Sequence, residues 1–370
     1  MKKLSILLGL LMVASLLFAA CAPAAAPVEE APVEEAPAEA APTKAVPTAE
    51  PVIEKKLFCQ VTDVGGIDDK SFNALAWAGM QRAAEELGVE VKYLESQQQS
   101  DYEVNINAFI DEGCELIISV GFLLGDATAA AADANPDQKF AIIDVDYLAQ
   151  PNLRGNGTKI DQATFLNGYL AAGMTKTDKV GTYVGILFPA TQAFMDGYAM
   201  GVKYYNEVKG TNVEVLGWDM EKQEGLQTGN FESLDDGRAF AEALLDDGAD
   251  IIMPVAGPVG LGSLAVMAER GSGLLIGVDS DWSVANPDKA DYVLASALKK
   301  IDVFVYDSIQ KALDGTFKGG EAYILTLEND GTGLSYGSAW ESKVPQELKD
   351  EITALIPKII SGEIATLPTR

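Results

Sequence analysis

Two stretches of this chain are near copies of each other. Asp111-Glu112-Gly113-Cys114-Glu115-Leu116-Ile117-Ile118 and Asp246-Asp247-Gly248-Ala249-Asp250-Ile251-Ile252-Met253 both run from an acidic helix end through a glycine stop into an apolar strand. In each half an aspartate, Asp144 or Asp279, follows 33 positions after the first Asp. Repetition of this kind points to two like units. Around the first copy, short apolar runs at Leu57 to Thr62, Val89 to Leu94, Leu116 to Val120 and Phe140 to Ile143 read as strands. The stretches Ser71 to Leu87 and Tyr102 to Glu112 read as helices, because each stops at a glycine, Gly88 or Gly113. Around the second copy, Val180 to Val184, Val213 to Leu216, Ile251 to Val255 and Leu274 to Val278 read as strands, with a helix over Asp235 to Leu245. Alternating strands and helices with continuous apolar strand cores predict parallel sheets covered on both faces. The expected fold class is α/β, with two doubly wound parallel-sheet lobes around a ligand cleft; packed tandem domains without a cleft are the alternative.

The amino terminus stands apart. Lys2 and Lys3 precede an uncharged run from Leu4 to Ala20, the pattern of a secretory signal peptide over residues 1–20. Phe18-Ala19-Ala20-Cys21 resembles a lipobox, which makes Cys21 the expected lipidation site and the membrane anchor point, with an uncleaved signal anchor as the alternative. Residues 21–54 are rich in Ala, Pro, Glu, Val and Thr, cannot bury a core, and are expected to act as an extended tether. The first lobe is assigned to 55–160, the second to 161–285, and the return crossings with a C-terminal helix near Val344 to Ile360 to 286–370. Hinges are expected at Gln150 to Gly157, Asp281 to Pro287 and Gly315 to Gly320.

Composition removes several classes of function. A formal net charge of −28 repels nucleic-acid backbones and anionic headgroups, so no nucleic acid is expected as partner. The chain has no histidine, and so lacks the usual general base and the commonest nitrogen ligand for metals; neither a metal nor a cofactor is expected. With Cys21 assigned to lipid, Cys59 and Cys114 are expected to sit buried and unpaired as small apolar side chains, one disulfide being the alternative.

Open parallel sheets bind ligands beyond the carboxyl ends of their strands. The loop after the first strand, Thr62 to Asn73, places Asp63, Phe72 and Asn73 there: two hydrogen-bonding groups and a ring that can stack. Asp68, Asp69 and Ser71 in the same loop are expected to cap the following helix. Gly121-Phe122 and Gly257 also follow strands, where backbone must turn tightly or approach a ligand. Gly257-Pro258-Val259-Gly260-Leu261-Gly262 reads as a ligand-proximal helix start, without the spacing of a dinucleotide loop or a Walker lysine.

Thr62-Asp63 through Asp69-Lys70-Ser71-Phe72-Asn73 closely resembles the signature of the basic membrane protein family of ABC-transporter lipoproteins, nearest to its purine nucleoside receptor branch. The resemblance continues at Ile118 to Phe122, Thr228-Gly229-Asn230-Phe231, Ile276 to Asp281 and Ser296 to Asp302, and so spans nearly all of the folded region. It implies a type I periplasmic-binding-protein-like fold, a nucleoside ligand, and ABC permease and ATPase subunits as partners of an extracytoplasmic receptor; a tethered receptor needs no partner subunit, so a monomer is expected. It also implies a base stacked between Phe72 and Phe231, its edge bonded to Asp63 and Asn73, and ribose hydroxyls held by Asp279 and Lys299. Core packing is the competing role for Phe231, and loop capping for Asp279.

Gly333-Leu334-Ser335-Tyr336-Gly337 fits a nucleophile-elbow pattern, but that motif needs a strand-turn-helix setting and a general base. The pairs Asp68/Asp69 and Asp279/Asp281 lack the spacing of a calcium loop and read as capping or solvated acids. A non-enzymatic receptor is therefore expected. A sugar or flavin receptor of the same fold, and a surface lipoprotein without transport, are the alternatives.

Overall fold

The computed structural model describes residues 55–369. The expected signal peptide, the Cys21 lipidation site and the tether lie outside the described residues.

The first half builds β1 (Leu57–Val61), α1 (Phe72–Leu87), β2 (Glu90–Leu94), α2 (Asp101–Glu112), β3 (Leu116–Val120), α3 (Gly125–Ala134), β4 (Lys139–Ile143) and β5 (Leu153–Thr158). The second builds α4 (Ile160–Met174), β6 (Lys179–Val184), α5 (Pro189–Lys209), β7 (Glu214–Leu216) and a small hairpin of β8 (Trp218–Asp219) and β9 (Glu224–Gly225). It continues with α6 (Leu234–Asp246), β10 (Ile251–Val255), α7 (Gly260–Arg270), β11 (Leu274–Asp279), α8 (Trp282–Ala285) and β12 (Val293–Lys299). The chain ends in α9 (Ile301–Asp314), β13 (Ala322–Leu325), β14 (Thr332–Tyr336) and α10 (Gln346–Ile360).

These strands form two six-stranded sheets, ordered β13-β5-β4-β3-β1-β2 and β14-β12-β11-β10-β6-β7. The first is parallel throughout; in the second only the β12–β14 pair is antiparallel. The central strands β3 and β10 are buried along their whole length, which is why they read as unbroken apolar runs. In both sheets the strand order reverses between the first strand and the next one inward, β1 beside β3 and β6 beside β10. The crevice at each reversal opens at the carboxyl strand ends.

Helices are exchanged between the sheets. After β5 the chain crosses to α4, whose Phe165, Leu166 and Leu170 are buried in the core of the second sheet. After β12 it crosses back to α9, whose Phe304, Val305 and Ile309 are buried with Phe58, Met80 and Ile118 against the first. The third crossing runs from β13 to β14. The interlobe passages therefore lie at 158–160, 299–301 and 326–331, and not at the three segments expected from sequence. Gln150 to Gly157 is rich in Gly and Asn and reads as loop, yet it contains most of β5, paired with both β4 and β13. Asp281 to Pro287 forms α8, whose Trp282 is buried in the second core, and Gly315 to Gly320 is the turn from α9 to β13.

The α4–α5 contact is unusually close. A Cβ placed on Gly168 would run into the carbonyl of Tyr198, and one on Gly201 into the carbonyl of Phe165, so these glycines set the helix separation. α10 packs its buried face, Leu348, Ile352, Leu355 and Ile359, on the second lobe, as expected for the C-terminal helix.

Cys59 and Cys114 are buried as expected, but they are bonded to each other, with Cα atoms 6.0 Å apart. The unpaired expectation fails because β1 and β3 are neighbours in the sheet. β2 lies between them in sequence but not in space. No helix among the described residues is long and apolar enough to cross a membrane.

Candidate ligand-binding site

The carboxyl ends of both sheets face one cavity of about 60 Å³. Asp63, Phe72, Asn73, Phe122, Phe231, Gly257, Asp279 and Lys299, the eight candidates from sequence, all line it. So do Asp69, Gly121, Asp144, Phe188, Thr191 and Phe194.

One end is built by the loop from β1 to α1. Asp63 Oδ1 accepts from the Gly65 amide at 2.9 Å and from Asn73 Nδ2 at 2.7 Å. Asn73 Nδ2 also donates to Asp69 Oδ2 at 3.2 Å. An amide nitrogen between two carboxylates fixes the orientation of the group, since the flipped form would set oxygen against oxygen. Asn73 Oδ1 is thereby committed to the other side, where it is buried and has no protein partner.

Asp69 caps α1, accepting from the amides of Ser71 (2.9 Å), Asn73 (2.7 Å) and Ala74 (3.0 Å). Capping by Ser71 was expected and does not occur. Its hydroxyl instead reaches the opposite lobe, 3.1 Å from the Val278 carbonyl and 3.1 Å from Asp279 Oδ2. Asp68 is exposed. Gly121, at φ 115°, leaves room for this end: a Cβ there would lie 3.2 Å from Asp63 Oδ2 and 3.4 Å from the Phe72 ring.

The other end is charged. Asp144 and Asp279 close β4 and β11 at φ 65° and 67°, left-handed geometry that Asp tolerates and that ends each strand abruptly. Lys299 closes β12. Its Nζ lies 2.6 Å from Asp144 Oδ2, with both side chains nearly inaccessible to solvent. The same ammonium sits 4.9 Å from the centre of the Phe72 ring and 5.7 Å from that of Phe194.

Burial pushes the carboxyls of Asp63, Asp69 and Asp279 up to about 6. For Asp63 and Asp69, hydrogen bonds from Asn73 and from loop amides work against the shift; for Asp279 the nearby Lys299 does.

Aromatic rings form the remaining wall. Phe231 packs over Gly185, and Phe188 stacks across the cleft on Phe122 with centroids 4.8 Å apart and planes 7° from parallel. Phe188 and Phe231 meet edge to face at 6.1 Å. Sequence reasoning missed Asp144 and Phe188. The same 33-residue offset that draws attention to Asp279 also marks Asp144, so that signal was present; Phe188 carries none, since its place depends on how α5 begins. Gly257, at φ 53°, opens a short 3₁₀ turn into α7.

Ser335 lies within β14 with its hydroxyl bonded to Asp281 at 2.5 Å, and Asp281 caps α8.

A family model for the ABC transporter substrate-binding proteins of the PnrA-like type, Bmp, matches residues 56–367. The chain belongs to this family. It is 32% identical over 327 residues to the ABC transporter nucleoside-binding protein BmpA of Lactococcus lactis, covering 84% of this chain and 88% of that one. It is 33% identical over 308 residues to basic membrane protein A of Borreliella burgdorferi, covering 81% and 84%. Among solved structures, an ABC transporter solute-binding protein from Aeropyrum pernix superposes with a TM-score of 0.76 at 29% identity, covering 85% of this chain and 94% of that one. The protein is thus an ABC transporter substrate-binding protein of the Bmp family with the two-lobed periplasmic-binding-protein fold.

Proposed function

We propose that the interlobe cavity binds a nucleoside and that closure of the lobes over it is what the ABC permease and its ATPase recognise. The observation that carries the reading is the pairing of an acceptor-only polar end with flat aromatic walls. Asp63 and the unpartnered Asn73 Oδ1 require N–H donors, which a nucleobase edge supplies. The faces of Phe72 and Phe231 suit a planar ring. At the opposite end Asp279 accepts from, and Lys299 donates to, vicinal hydroxyls, as a ribose requires. The resemblance to the purine nucleoside receptor branch puts purines first. Under this reading the protein acts as a monomer, held at the outer face of the cell membrane by lipid on Cys21, with residues 21–54 as its tether.

Calorimetric titration of residues 55–370, stripped of bound ligand by unfolding and refolding, tests it with adenosine, guanosine, inosine, cytidine, ribose and riboflavin. Binding of a nucleoside at micromolar concentration or below, without comparable binding of ribose, is the expected result. Ribose or riboflavin binding in place of every nucleoside would move the ligand to the sugar or flavin class.

A further inference from the structure

Asp144 and Asp279 occupy equivalent places. Each ends the fourth strand of its sheet in the order β2-β1-β3-β4 or β7-β6-β10-β11, and each has a left-handed backbone. Each also spends its carboxylate on the other lobe: Asp144 on Lys299 at the end of β12, Asp279 on Ser71 at the start of α1. The contact from Ser280 Oγ to the Lys70 carbonyl, 3.2 Å, lies beside the second of these. The position in the first lobe that corresponds to Lys299, the end of β5, holds Thr158, whose hydroxyl is buried without a partner. The ionic bridge therefore exists in one direction only, and Lys299 is the one cation lining the cavity among the described residues.

An ammonium has three N–H donors. Asp144 takes one at 2.6 Å, and the rings of Phe72 and Phe194 confine the rest of the group. Asp279 lines the same cavity as Lys299, and its carboxyl already feels the ammonium; without Asp144 it is left as a countercharge for Lys299. Lys299 would then collapse onto Asp279 and occupy both groups that face a ligand's hydroxyls.

We propose that Asp144 is a positioning residue: from the first lobe it holds Lys299 off Asp279, leaves both free to engage the ligand's vicinal hydroxyls, and, together with the Ser71–Asp279 contact, latches the closed cleft. This role rests on the nucleoside reading for its ligand and on interlobe geometry alone for the latch, so the two parts are tested separately.

The experiment uses residues 21–370 carrying Cys21→Ser, with Asp144→Asn, Ser71→Ala and the double variant, each checked for folding by thermal melting. Affinity and release rate are measured for the best-binding nucleoside and for its 2′,3′-dideoxy analogue. The unsubstituted protein should prefer the hydroxylated ligand by about tenfold or more. Asp144→Asn should erase most of that preference and speed release by about tenfold, while association stays nearly unchanged. Ser71→Ala should speed release and keep the preference, a split that a merely structural role would not produce. Undiminished preference with an unchanged release rate in Asp144→Asn overturns the proposal. Should no nucleoside bind even the unsubstituted protein, small-angle scattering of the ligand-free chains still decides the latch. A larger radius of gyration in the double variant supports it, and an identical one overturns it.

Discussion

Lowering the pH from 7 to 5 should make the ligand-free fold more stable and its ligand complex weaker. Asp63, Asp69 and Asp279 each rise from 3.8 to about 6, with burial the first cause in all three. Unfolding returns them to ordinary values, so between about pH 4 and 6 the folded chain holds protons that the unfolded chain releases. Stability falls as pH rises through that window and is recovered as pH falls. Each group contributes on the order of 1 kcal/mol between pH 7 and pH 5. Asp63 and Asp69 repel each other, so a proton on one relieves its neighbour, and the combined gain is about 2 to 3 kcal/mol rather than the simple sum. Asp161 and Asp302, also raised by burial, add in the same direction.

Carboxylates held low by ion pairs, such as Glu86 and Glu269, lose their contribution only as pH drops below about 4.5 and are silent in this interval. Calorimetric melting at constant ionic strength should therefore show a melting temperature higher at pH 5 than at pH 7 by about 4 to 6 °C, at about 2 °C per kcal/mol for a chain of this length. Ligand N–H and O–H groups that donate to Asp63 and Asp279 need those carboxylates charged. Affinity should thus fall by about tenfold per pH unit below 6 for each such group, and the ligand-induced rise in melting temperature should shrink over the same range. A ligand-free melting temperature that falls steadily from pH 7 to 5 would refute the reasoning. So would an Asp63→Asn/Asp279→Asn variant that keeps the whole gain.

The disulfide between Cys59 and Cys114 spans a sequence separation of 55, and the chain-entropy relation gives about 4 kcal/mol for a loop of that size. Cys59→Ala/Cys114→Ala should lose most of this in denaturant titration while still binding ligand. If Phe72 and Phe231 sandwich a base, alanine at either should weaken nucleoside binding by about 1 to 3 kcal/mol in calorimetry, and unchanged affinity in both would remove the stacking role. Gly201→Ala forces α4 and α5 apart and should cost about 1 to 3 kcal/mol in thermal or chemical unfolding, since its Cβ meets the backbone carbonyl of Phe165.

What was legible in the sequence was local. Strands buried on both faces show as unbroken apolar runs, helices stop at glycines that reach left-handed geometry, and a short loop crowded with polar groups after β1 marks the site. What was illegible depends on neighbours. Leu153-Arg154-Gly155-Asn156-Gly157-Thr158 has the composition of a loop and is a strand because β4 and β13 flank it. The disulfide needs β1 beside β3. The crossings were misplaced for a different reason, because their signal was present and unused. Lys159-Ile160-Asp161 and Lys300-Ile301-Asp302 repeat one tripeptide at the two helix-exchange points. The two lysines adopt nearly the same backbone, φ −77° and ψ 58° against φ −76° and ψ 59°, and their amides donate at the two ends of the third crossing, Lys159 to the carbonyl of Leu325 at the end of β13 and Lys300 to that of Gly331. Each tripeptide directly follows the fifth strand of one sheet, β5 or β12, and begins the helix that belongs to the other lobe. A hinge of this kind needs no glycine or proline. A strand that ends, a cap with one intermediate backbone conformation and a helix whose apolar residue is claimed by the opposite core are enough, and composition cannot distinguish them from an ordinary strand-to-helix turn. Repetition can, because two copies of the same short phrase at the two exchange points are constrained by the same geometry.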